Sequence, residues 1–284
     1  MRQKRKAASS DFSPDKLPRG RREQFFDLLK HRHLLLFEIG LLCLLGLTPF
    51  LFVYGYNNLS LLPYAASTLS KEDYAAFNAT NTLVFDLFYL ACFLIFSLFL
   101  SGIARLLRNL CWGEGIFFWK DFWRGVKKNW LAYLIWALVF GACHLLNDFL
   151  SYVIPMRALS VLPSAFALLF FPIMESCMVA SCIYKAEVGQ NIRNALYILF
   201  KRPWDNLLFL LFPFGVALID VSPYPLLNLI LYVVTFLALF PLYFLSFYLW
   251  SLAGYDRYVN AVYFPAYYQK GLAGEFLPSE KEEK

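Results

Sequence analysis

The chain has 284 residues, 60% of them hydrophobic and only 16% charged, against about 25% charged in an ordinary soluble domain. Its apolar residues gather into runs of the length that crosses a bilayer, which excludes a soluble globular fold. A net charge of +6 leaves nucleic acid open as a partner until the positions of the charges are read.

Residues 1–33, beginning "MRQKRKAASSDFSPDKLPRGRREQ", are basic and contain Ser and Pro. No short apolar core with a small-residue cleavage site follows, so this is not a secretory signal but a disordered basic arm. Six apolar segments come next, at 34–54, 83–107, 131–154, 159–183, 207–221 and 226–252. Backbone groups in hydrocarbon must be satisfied within their own segment, so each is expected to be a helix. No segment alternates as a barrel strand would. The expectation is an all-α membrane fold: a six-span bundle over residues 34–258, with 259–284 as a tail. The fifth segment is short, and Pro213 is expected to bend it.

Orientation follows from the Lys/Arg bias. Of the 26 Lys and Arg, only Lys71 and Arg157 fall on one side; the rest lie in the arm, the loops after spans two and four, and the tail. Both termini are therefore expected in the cytoplasm of a cell with a plasma (inner) membrane. Basic residues that flank spans hold topology and meet anionic lipid headgroups. A base-reading pattern on a folded domain is absent, so nucleic acid is not an expected partner. Residues 55–81 read as the largest external loop.

Five of the six cysteines lie in apolar runs and Cys111 in a basic connector. That placement suits small packing residues rather than a disulfide framework. Cys177 and Cys182 are five apart, which is no C-x-x-C spacing.

Residues 113–130 read "GEGIFFWKDFWRGVKKNW". On a helical wheel Ile116, Phe118, Trp119, Phe122, Trp123 and Val126 take one half. Lys120, Asp121, Arg124, Lys127 and Lys128 take the other, with Phe117 the misfit. An aromatic face opposite a basic one is the composition of an amphipathic helix lying at the cytoplasmic membrane surface. A partner-docking helix has the same composition, so both readings stand. The run 126–141 also aligns without gaps on 200–215, each with two basics, a Trp and a closing Phe-Gly. Spans two-three and four-five are candidate parallel repeats, each with its own interfacial helix.

These residues carry a resemblance. "GLTPF" at 46–50, Gly115, Asp121-Phe122, Lys128-Asn129 and "NALYILFKRPWDNLLFLLF" at 194–212 are similar to motifs of the YesL-like family of bacterial integral membrane proteins. The likeness covers roughly residues 37–258; the longer arm, the longer first loop and "LTP" depart from the family. The resemblance implies a Gram-positive source and an accessory or regulatory role in carbohydrate uptake, within a membrane transport complex. The family has no established catalytic residues to carry over.

Ionisable residues within the spans are Glu38, Asp86, His144, Asp148, Glu175 and Asp220. Such residues are functional candidates by default. Glu38, Asp86 and Asp220 lie near segment ends, where snorkelling or capping accounts for them. His144 and Asp148 are four apart on one helix face, a spacing in which a carboxylate can orient an imidazole for proton relay. Glu175 follows Pro172 in mid-span, where a freed backbone group and a buried acid make a substrate or proton site. No P-loop, H-E-x-x-H or G-x-S-x-G is present, and three histidines do not suggest a histidine-rich metal site. No cofactor and no enzymatic activity are expected. Three readings remain: an accessory of sugar uptake, a small-molecule secondary transporter using Glu175 and His144/Asp148, and a structural or lipid-interacting protein.

Overall fold

In the computed structural model, residues 17–65, 70–152, 157–184, 188–221 and 224–273 are described. All their regular structure is helical: α1 (Arg21–His31), α2 (His33–Ala65), α3 (Lys71–Cys111), α4 (Phe118–Tyr152), α5 (Arg157–Ile183), α6 (Val188–Lys201), α7 (Pro203–Phe209), α8 (Leu211–Ala217), α9 (Pro225–Val234) and α10 (Phe240–Tyr255), with short turns of helix between and after them. Five helical stretches are long and apolar enough to cross a membrane: His33–Ser60, Ala79–Cys111, Phe118–Ser151, Ala165–Ile183 and Pro225–Tyr263. The protein is a multi-pass membrane protein. On α2, Leu36, Ile39, Leu42, Cys43 and Leu47 are buried, while Leu34, Phe37, Leu41, Leu45 and Phe52 stay exposed. That second stripe would be a liability in water and is at home in lipid.

The core is organised around α10. Phe244, Leu245, Phe247, Tyr248, Leu249, Leu252 and Tyr255 are all nearly inaccessible, because α1, α2, α3 and α5 pack around this helix. Two π-helical turns, Thr235–Leu239 and Asp256–Asn260, bracket it. At the first, α2 comes so close that a Cβ on Gly40 would sit 2.0 Å from the Leu237 carbonyl oxygen. Only glycine permits that crossing. The α3–α4 pair uses the same device, since a Cβ on Gly125 would meet Ser101 O and Arg105 Cβ at 2.8 Å. Small residues of this kind let membrane helices pack backbone to backbone.

Several sequence expectations change here. Residues 55–81 are mostly helix rather than loop: α2 runs to Ala65 and α3 starts at Lys71. Ser70 makes that start by accepting a hydrogen bond from Asp73 N at 3.1 Å and donating one to Asp73 Oδ2 at 2.6 Å, an N-cap. The fifth segment is split into α7 and α8, together Pro203–Ala217, shorter than a full span. The first aligned repeat run lies within continuous α4, whereas the second begins at the end of α6 and crosses α7 into α8, so the two halves differ in their elements.

The stretch 118–130 is not a separate helix lying on the membrane. It forms the first turns of α4, an unbroken helix of 35 residues, about 52 Å long at 1.5 Å per residue. A hydrocarbon core of about 30 Å leaves several turns protruding. The cause is local: Asp121 Oδ2 accepts a hydrogen bond from Phe117 N at 2.9 Å, and Gly125 seats the helix on α3 from its start. The buried stripe is accordingly Asp121, Phe122, Gly125, Asn129 and Tyr133; of the aromatic half of the wheel it takes Phe122, while Trp119 and Trp123 stay exposed.

Part of the basic arm is also ordered. Arg21 Nη2 and Nε donate to Asp256 Oδ2 at 2.7 and 3.2 Å, with both side chains under a tenth exposed. Gln24 Nε2 donates to Cys111 O at 2.6 Å, and Ala273 N donates to Pro18 O at 3.0 Å. The start of the tail closes the same clamp, since Lys270 Nζ and Arg108 Nη2 hold the two oxygens of Glu114 at 2.8 and 3.1 Å. Burial works to raise the Glu114 carboxyl, but Lys270 and Arg108 together outweigh it and hold the group below the usual carboxylate range. Residues 1–16 of the arm and 274–284 of the tail lie outside the described residues.

Candidate functional site

The helix pair α3–α4 runs antiparallel. The end of α4 that carries Lys127 and Lys128 is its beginning, and His144 lies about 24 Å further along by helical rise. At that far end three potential ligand groups converge. One ligand atom each from Asp86, His144 and Asp148 lies within 4.8 Å of the others. His144 Nε2 is 3.8 Å from Asp86 Oδ1, across the two helices. The Asp86 side chain is 2% exposed and the His144 side chain 45%. Asp86 Oδ2 is fully enclosed and has no hydrogen-bond partner. Asp148 Oδ1 is oriented by a hydrogen bond from Asn147 Nδ2 at 2.8 Å.

The structure keeps His144 and Asp148 side by side, as their spacing suggests, and brings Asp86, read from the sequence as a segment-end residue, to the same place. The Asp86 side chain is not in water; it is buried on α3 beside α4, and its carboxylate joins the His144/Asp148 pair. Two carboxylates at this distance in a low-dielectric setting repel one another strongly. A shared proton or a bound cation relieves that repulsion. Among the described residues no Lys or Arg forms an ion pair with either acid; the ion pairs found lie elsewhere, apart from that of His144.

Glu175 is a second, separate candidate. It is 4% exposed on α5, one turn beyond Pro172, which lies inside the helix. Its Oε2 accepts a hydrogen bond from Tyr243 Oη at 2.6 Å. The Tyr243 ring stacks on Phe212 of α8 with centroids 4.2 Å apart, so the split segment supports the acid's partner. Tyr243 also lies just past the π turn Thr235–Leu239, and such wide turns recur at functional sites. Beyond Glu175, buried polar groups continue toward the basic end. Ser176 Oγ and Tyr255 Oη are 3.1 Å apart, Tyr184 Oη donates to Asn260 Oδ1, and Asn260 Nδ2 donates to Asp256 Oδ1 at 2.9 Å. Sequence offered no signal for this column, because Tyr and Ser inside spans look like ordinary packing residues.

The remaining candidates lie at the basic end. Phe122 is buried against α3, and Phe118 packs partly into the core. Trp119 and Trp123 are 60% and 55% exposed, on the surface with Lys120, Arg124, Lys127 and Lys128. Trp119 and Phe118 line a groove with Glu38, Leu41, Leu42 and Leu45 of α2. Glu38 is exposed, and the side chain of Asp220 lies outside the described residues.

These three places divide the chemistry. Asp86, His144 and Asp148 can hold a cation; Glu175 can hold or release a proton at the middle of a span; the Trp and Lys surface can meet headgroups or another protein. No family model matches the chain, and no curated protein or solved structure does either.

Proposed function

We propose that the chain is a small-molecule secondary transporter of a bacterial inner membrane. The observation that carries this reading is the convergence of Asp86, His144 and Asp148 at the end of α3–α4 remote from the basic residues. Ionisable groups at membrane depth are costly, and they mark ion and substrate pathways. Glu175, one turn from a helix-interior proline and bonded to Tyr243 just past a π turn, is the mid-membrane acid of the same pathway. The α7–α8 pair serves as the sixth crossing, a broken helix of the kind that lines transport sites. The Lys/Arg asymmetry supports an orientation with both termini cytoplasmic and the Asp86 cluster external.

The test is flux. Purified protein in vesicles with an entrapped pH-sensitive dye is screened against sugars, amino acids, organic acids and divalent cations. At least one class is expected to drive proton movement, and Glu175→Gln is expected to abolish it while the protein still inserts and melts normally. Equal flux in Glu175→Gln and wild type overturns the reading.

A second reading rests on Trp119 and Trp123, whose exposure beside Lys120 and Arg124 suits a docking surface. On it the chain is a YesL-like accessory of carbohydrate uptake, bound to a transport complex. Replacing both tryptophans with serine would then release a partner that co-purifies in mild detergent.

A further inference from the structure

We infer that Asp86, His144 and Asp148 form a binding site for one divalent transition-metal ion of the Mn²⁺ or Zn²⁺ class, filled from the external face. The inference rests on the transport reading and deepens it by naming the ion.

The donor set argues for this class. Two carboxylates and one imidazole are a mixed oxygen–nitrogen set. Carboxylates alone suit Mg²⁺, Ca²⁺ and Mn²⁺, whereas imidazole selects Zn²⁺ and its transition-metal neighbours. The site's charge argues the same way, since two carboxylates match a doubly charged ion and no Lys or Arg among the described residues pairs with them. The third argument is Asp86 itself. Its side chain is 98% enclosed, reaches toward His144 and has one oxygen, Oδ2, without any hydrogen-bond partner. Buried carboxylate oxygens are seldom left so, because each unsatisfied group costs free energy. A cation between the three side chains satisfies it.

The dimensions fit after small rotamer changes. Metal bonds of about 2.0–2.2 Å put neighbouring ligand atoms roughly 3–3.5 Å apart, against the present limit of 4.8 Å. Asn147 holds Asp148 Oδ1 at 2.8 Å, the outer hydrogen bond that orients ligating carboxylates. Asp86 forms the closed floor and half-exposed His144 the mouth, so an ion has a way in. Three protein donors leave coordination positions for water or a travelling solute.

The experiment is Mn²⁺ binding to the full chain in detergent, read as loss of the free-ion electron paramagnetic resonance signal. Mn²⁺ is the probe because it has little affinity for the six free thiols. The expected result is one ion per chain, displaced by Zn²⁺ but not by Mg²⁺ or Na⁺ at the same concentration. Asp86→Asn and His144→Gln should each weaken it by more than the roughly 10–100-fold that loss of an outer partner costs. A His31→Ala/His33→Ala variant should bind as wild type does. Asp148→Asn gives a second route if Asp86→Asn fails to fold. No saturable binding up to millimolar Mn²⁺, or binding untouched by these ligand variants, overturns the inference. Binding with no flux of any solute sinks the transporter and keeps the site; flux of another solute without binding sinks the site and keeps the transporter.

Discussion

Arg21→Met tests how firmly the two ends of the described chain are tied. In the wild type, Asp256 Oδ2 receives two bonds from the Arg21 guanidinium, at 2.7 and 3.2 Å, and both side chains are under a tenth exposed. Removing one member of a buried pair costs about 3–5 kcal/mol, mostly because the other charge is left enclosed. Asp256 would keep two neutral donors on Oδ1, from Asn260 at 2.9 Å and Gln269 N at 3.1 Å. That residual solvation puts the expected loss at the lower end, about 3 kcal/mol. The assay is reversible unfolding in mixed micelles by titration with sodium dodecyl sulfate, followed by circular dichroism. Amide exchange should speed up together at residues 21–31 and 269–273, because Arg21 also donates to Lys270 O. The double variant Arg21→Met/Asp256→Asn should recover part of the loss, since it removes the enclosed charge yet keeps an Oδ1 acceptor for Asn260 and Gln269 N. A loss under about 1 kcal/mol for Arg21→Met would refute this account of the clamp.

Glu175→Ala should cost about 1–3 kcal/mol by leaving the Tyr243 hydroxyl without its acceptor, whereas Glu175→Gln keeps an acceptor and should stay near wild type in the same titration. Gly125→Leu should destabilise by at least about 1–3 kcal/mol, because even its Cβ lands 2.8 Å from Ser101 O, in a crossing with no room. Ser70→Ala should cost about 1 kcal/mol and accelerate amide exchange in the first turn of α3. Glu114 gives a pH signature. Its folded-state pKa is depressed, so its contribution is whole above the ordinary carboxylate value of about 4.3 and is lost as pH falls through the lower folded value. Fluorescence from Trp112, over which Lys270 and Arg108 lie at 4.1 and 4.7 Å, should report that acid transition, and Glu114→Gln should abolish it.

The spanning segments were legible because twenty apolar residues in a row have one stable conformation in lipid. Their ends were not, since helices continue past the hydrocarbon wherever a cap or a packed neighbour holds them. Ser70 and Asp73 start α3 well before its apolar run, and Asp121 starts α4 at Phe118. The helical wheel of residues 116–128 failed for a related reason. A wheel sorts residues by polarity, but α3 presents Gly102 and Arg105 to α4, so Gly125 and Asp121 are buried and Trp119 is not. His144 and Asp148 were visible as a pair because their spacing is local. Asp86 is 58 residues away from His144 along the sequence, and only the antiparallel course of α3 and α4 joins them. Polar groups that meet across helices leave no periodic mark.

The bond between Arg21 and Asp256 spans 235 positions of sequence. That separation sets an order of assembly. Arg21 is among the earliest of the described residues to leave the ribosome, and beyond the local bond to Gln24 it lacks its carboxylate until Asp256, at the end of the last long apolar stretch described, has been synthesised. Until then α1 is without the acid that anchors it, and Gln24 is without its acceptor at the end of α3. The finished clamp is thus a record that every span between them has taken its position. A chain that stalls or inserts one segment wrongly leaves α1 loose and open to proteases, which makes the first helix a natural checkpoint for the whole fold.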